Sequence, residues 1–148
     1  MYAPHKTHAQ TYRQVELHSR VDTAHPHQLV TLLFDGLLES IDTARGAMRR
    51  GDVLAKCNAV GRAVRIVDEG LKASLNLDAG GGLATDLSNL YGYLVLRLTQ
   101  ANAHNDLKAL EEARALVEPL RSAWVTIGGQ VGAPAGAQVG AQAGVRAA

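Results

Sequence analysis

Residues 78–106 read DAGGGLATDLSNLYGYLVLRLTQANAHND, and the spacing of their apolar side chains decides the fold. Leu83, Leu87, Leu90, Leu94, Leu98 and Ala101 are separated by four, three, four, four and three residues. That is one stripe of an α-helix and not the alternation of a strand. The three consecutive glycines Gly80, Gly81 and Gly82 permit a turn that a Cβ would resist, so the helix is expected to start there. Asn102 and Asn105 close the stretch, because their side chains compete for backbone hydrogen bonds and suit the end of one helix and the cap of the next.

Such a stripe needs partners, and three more helices supply them. Pro26 suits the first position of a helix, where its fixed φ fits and its missing N–H would be unpaired anyway, with His25 as an unusual cap. Leu29, Leu33, Leu37, Ile41, Ala44 and Met48 form the stripe of that helix, Val30, Phe34 and Leu38 widen it, and Gly51 ends it. Asp52 caps the next helix, with Val53, Cys57, Val60, Val64, Val67, Leu71 and Leu75 as its expected buried stripe. The last helix runs from about Asp106 to Ile127 on Leu110, Ala113, Val117, Leu120, Trp124 and Ile127. Pro119 inside it removes a backbone hydrogen bond and predicts a kink. The expected fold is all-α, an antiparallel up-and-down four-helix bundle.

The rest of the chain flanks that bundle. Residues 1–21 are polar and histidine-rich and read as an N-terminal arm, 22–127 as the bundle, and 128–148 as a Gly/Ala/Gln-rich disordered tail with too little apolar surface to offset the entropy of ordering. With 148 residues, 47% hydrophobic and 20% charged, and a net charge of +1, the chain has room for one core and no charge-driven partner, so nucleic acid is not expected. The lone Cys57 excludes an intramolecular disulfide and reads as a small buried hydrophobe. The N-terminus lacks the apolar run of a secretory signal and no segment is apolar for long enough to insert in a membrane, so a cytoplasmic location is expected.

Catalytic chemistry finds little support. No Glu has a His three residues on, as a di-iron bundle requires, and His25 and His27 beside a proline lack a third ligand nearby in sequence. The glycine run is not followed by the Lys-Ser/Thr of a phosphate loop. No enzyme, metal or cofactor is expected.

The informative feature is a second apolar face on the second helix. Ala55, Ala59, Ala63, Ile66, Gly70, Ala73 and Leu77 lie roughly 130° around the helix from the valine stripe. Either this helix is central and packs against two neighbours, or its small side chains form a shallow groove for a partner helix. Tyr93, Leu96 and Asn102 on the third helix join the groove reading as candidate contacts.

A set of motifs resembles the flagellin-specific secretion chaperone (FliS) family: MYA at the start, TAHPHQLVTLLFDGLLESIDTA over 23–44, LNLDAGGGLATDLSNLYGYL over 75–94, RLTQANAHND over 97–106 and PLRSAW over 119–124. They are specific in combination and order. His25 stands where the family usually has serine, Phe34 replaces tyrosine, Gly92 a polar residue and Ala103 leucine. The resemblance implies a cytosolic chaperone that binds the disordered C-terminal segment of flagellin, prevents early polymerisation and aids delivery to the flagellar type III export apparatus. It also implies that the N-terminal segment, with Tyr2 and Tyr12, lies over the client site until displaced. A self-associating structural bundle is the alternative, and the chaperone reading itself leaves open a monomer or a weak homodimer.

Overall fold

A computed structural model describes residues 25–131 of the chain. Four helices follow one another: α1, Pro26–Arg50; α2, Val53–Arg65, which continues as a π-helical turn over Ile66–Leu71; α3, Leu77–His104; and α4, Leu107–Val131. Each boundary has a local cause. Pro26 opens α1, with His25 extended before it and contributing no side-chain cap bond, and Gly51 closes α1 in the left-handed region at φ 73°. The Asp52 carboxylate accepts the Ala55 N–H at 3.1 Å to cap α2. Asn76 accepts from Ala79 N–H at 3.0 Å to start α3, and Asn105 ends it in the left-handed region at φ 50°. Asp106 accepts from Ala109 N–H at 3.2 Å ahead of α4.

The helices alternate in direction, so each packs antiparallel to its sequence neighbours and α4 closes against α1. Leu37 and Ile41 of α1, Val67 and Leu71 after α2, Leu94 and Leu98 of α3, and Leu110 and Val117 of α4 form the fully buried centre. Charged pairs border the α1–α4 seam. Asp35 accepts from Arg121, Asp42 accepts from Arg114 at 2.8 Å, and Glu111 lies 3.5 Å from Arg49. Burial opposes ionisation of Asp42, but hydrogen bonds from Arg114 and Arg45 outweigh it and hold its carboxyl below the usual value. Its contribution is therefore complete at neutral pH and is lost as pH falls through that lowered value. These groups are largely solvated, so each pair contributes at most about 1 kcal/mol and mainly sets register.

Four expectations change. On α2, Val53 and Cys57 are exposed, and the buried line runs through Lys56, Ala59, Val60, Ala63, Val67 and Leu71. The helix faces α1 on one side and α3 on the other, so its inward direction falls between the two apolar stripes. Lys56 is buried there, donating to the Asn102 carbonyl at 2.9 Å and the Asn105 side-chain oxygen at 2.6 Å, which ties the start of α2 to the end of α3. Leu83 is 70% exposed instead of core, on the lining of a cavity between α1, α3 and α4. The third helix begins at Leu77, ahead of the glycines, and breaks at Gly81 (φ 57°, ψ −139°). Pro119 lies within α4, and α4 continues to Val131, beyond the expected end at Ile127. The arm, with Tyr2 and Tyr12, and the tail from 132 lie outside the described residues.

The break at Gly81 is a backbone conformation essentially restricted to glycine. Gly81→Ala should cost roughly 1–3 kcal/mol in urea denaturation. Gly82 is helical with open space around its Cα, so Gly82→Ala should be neutral or stabilising by about 0.5–1 kcal/mol. Equal effects of the two substitutions would refute the assigned geometry.

Candidate functional site

At the end of the bundle where α1 and α3 start and α4 stops, the helices diverge around an apolar cavity of about 510 Å³ that is open on one side. Val30 and Phe34 of α1 form one wall, and Leu120, Ala123, Trp124 and Ile127 of α4 another. Ala79 to Tyr91 of α3 and the Ser74–Asn76 connection complete it. Leu83 and Ile127 on its lining are exposed, and Leu77 and Val125 add exposed apolar surface at the same end. An apolar concavity rimmed by exposed leucine, isoleucine and valine has the chemistry of a docking groove for an amphipathic segment.

One edge of the cavity is rigid. The His27 ring stacks on Trp124 with centroids 4.4 Å apart and planes 4° from parallel, and the indole N–H donates to the His27 carbonyl at 2.9 Å. A Cβ on Gly128 would collide with the same imidazole, so glycine is required where α4 passes the first turn of α1. His27 Nε2 is buried without a hydrogen-bond partner among the described residues. The opposite edge, around the Gly81 break, carries no such lock.

The candidate contacts read from the second apolar face do not form one surface. Ala63 is 0% and Ala59 7% exposed, both enclosed by the bundle's own helices, so a groove floored by them is not open in this structure. Gly70 receives Leu33 and Ile66 faces Gly36, which places both in the α1–α2 contact. The two-neighbour packing reading of this face therefore describes the structure. Ala55 is half-buried and Ala73 exposed, while Leu77 is exposed beside the cavity. Tyr93 and Leu96 are exposed on the outer side of α3, where the Tyr93 hydroxyl donates to Glu112 at 2.8 Å. Asn102 is half-buried, its side-chain oxygen 3.4 Å from the Cys57 sulfur.

Sequence reasoning assigned the cavity residues to the core. Phe34, Leu87, Leu120 and Trp124 keep the helical period of buried residues and do pack on the core, but the period alone does not reveal that they also line a cavity. Tyr91 fell outside the leucine stripe and is nonetheless buried. Among the described residues no group of three or more His, Cys, Asp or Glu side chains is placed to hold a metal ion, and no helix is long and apolar enough to cross a membrane.

Comparison with known proteins agrees with the resemblance. The family described as flagellar protein FliS matches residues 8–131. The flagellar secretion chaperone FliS of Salmonella typhimurium is 46% identical over 116 residues, covering 78% of this chain and 86% of the relative. FliSB of Pseudomonas aeruginosa is 41% identical over 113 residues, 76% and 89% of the two chains. FliS of Escherichia coli is 39% identical over 124 residues, 84% and 90%.

The different fates of the two apolar surfaces are testable on the isolated chain. Ala63→Glu places an unpaired charge in the core and should cost at least about 3 kcal/mol in urea denaturation. Leu83→Glu, at an exposed position, should stay within about 0.5 kcal/mol of the parent. A fully stable Ala63→Glu variant would return that face to the surface.

Proposed function

This chain belongs to the FliS family of flagellar secretion chaperones, and from that premise we propose that it binds the disordered C-terminal segment of newly made flagellin in the cytoplasm. It holds the subunit back from premature polymerisation and helps deliver it to the flagellar type III export apparatus. The work is binding and release, with no covalent step and no cofactor. The observation that carries this reading is the apolar cavity with Leu83 and Ile127 exposed on its lining. A disordered segment that folds on contact presents apolar side chains one and two helical turns apart, and such a cavity receives them. Each large apolar anchor contributes about 1.5–3 kcal/mol, offset by several kcal/mol of ordering entropy. The balance favours binding that is reversible, as export requires.

The arm fits the same picture. Helix α1 starts at Pro26, and His27 stacks on a cavity residue, Trp124, so the chain enters the bundle at the cavity's edge. We assign residues 1–21, with Tyr2 and Tyr12, as an internal competitor for the cavity. The apparent client affinity is then the intrinsic one reduced by the fraction of molecules whose cavity is uncovered.

Co-purification with the genomically paired flagellin, with and without the last few dozen residues of that flagellin, tests the client assignment. Capture of the intact subunit and loss of the truncated one is expected. Leu83→Glu should weaken binding by about 1 kcal/mol or more without unfolding the chain. Deleting residues 2–18 should strengthen binding to a C-terminal flagellin peptide in calorimetry. Unchanged or weaker binding would remove the competitor role and leave the client role standing.

A further inference from the structure

Four side chains lining the cavity carry polar atoms: Ser74, Asn76, Tyr91 and Trp124. Three of them are committed to this chain's own backbone. The Ser74 hydroxyl donates to the Leu71 carbonyl at 2.8 Å, Asn76 accepts from Ala79 N–H, and the Trp124 indole donates to the His27 carbonyl. Tyr91 differs: it lines the cavity, is 4% exposed, and its hydroxyl makes no hydrogen bond to a described residue. Two residues away, the Tyr93 hydroxyl is held by Glu112.

A phenol in such a wall keeps water as its partner while the cavity is open. When apolar side chains fill the cavity that water is expelled, and an unpaired hydroxyl then opposes binding. A segment with an acceptor at that point restores the bond, whereas a purely apolar segment of the same shape does not. Sites built around a buried hydrogen-bonding group discriminate in this way far more sharply than apolar pockets do.

We infer that the Tyr91 hydroxyl is the specificity-determining contact of the cavity, donating a hydrogen bond to an acceptor, a main-chain carbonyl or a polar side chain, carried by the docked client segment. The inference rests on the client reading above. It makes the cavity selective for segments with one acceptor set among apolar residues, so that an arbitrary hydrophobic stretch is refused.

The test is titration calorimetry of the full-length chain and its Tyr91→Phe variant with a flagellin C-terminal peptide, alongside thermal unfolding of both proteins. The expected result is a loss of affinity of roughly tenfold with an unchanged melting temperature. Affinities within twofold of each other would overturn the inference. So would a lowered melting temperature in the variant, with or without weaker binding, because the hydroxyl would then be paired inside the chain. Failure of the unmodified chain to bind the peptide would be a different result, sinking the client reading and this contact with it.

Discussion

The bundle depends on a reciprocal interlock between α1 and α2. Leu33 of α1 fills the space above Gly70, where a Cβ would lie 2.9 Å from its nearest methyl, and Ile66 presses toward Gly36, where a Cβ would lie 3.3 Å away. Each helix offers a glycine to the other's large side chain, so the backbones approach closely and their register is set at two levels. Gly70 sits within the π-helical turn Ile66–Leu71, and the extra residue in that turn lets Val67 and Leu71 both reach the core while Gly70 stays turned toward α1. Close approach also explains why Ala59 and Ala63 are enclosed. Small side chains at Ala59 and Ala63 are what the interlock requires.

That interlock decides where the cavity lies. Helical structure after α2 ends at Leu71, short of the first turn of α1, and the chain crosses to α3 through residues 72–76. The break at Gly81 then kinks α3 after its first turn. Val30 and Phe34 on α1 and Leu120 and Trp124 on α4 thus line a cavity open on one side, with α3 and the 74–76 connection as its other walls. Apolar surface left open in this way has the chemistry of a docking groove.

The same reasoning explains what could be read from the sequence. Pro26, Gly51, Asp52 and Asn105 act through their own backbones, and each does in the structure what its side chain or ring dictates locally. The four helices and their order were legible for the same reason. Partnership is not local. The period of Leu83, Leu87 and Leu90 shows that they share a helical face but not that Leu83 lies exposed on a cavity. On α2, weighting valine above alanine pulled the expected inward direction toward Val53 and Cys57, whereas close packing against α1 prefers the smaller side chain. Lys56 on the buried line could not have been expected from its type; it is tolerated because the carbonyl and side-chain oxygens at the end of α3 receive its ammonium. The cavity itself was invisible, since its lining has the pattern of a core.

The two ends of the bundle are consequently built to different standards. At the end away from the cavity, Lys56 fastens α2 to the C-terminus of α3 through two short hydrogen bonds, and its charge opposes the negative end of that helix dipole. Gly51 and Asp52 make the tight return from α1 to α2 at the same end. At the cavity end a single edge is locked, by the His27–Trp124 stack with Gly128 fitted against it, while the other edge turns on a glycine and carries exposed Leu77 and Leu83. The cavity therefore has one wall fixed by the ring stack and one that turns on the Gly81 break. The locked wall belongs to the helix that follows the N-terminal arm. That wall is built from the first turn of α1 and the last turns of α4, where the His27 and Trp124 rings hold the two helices together.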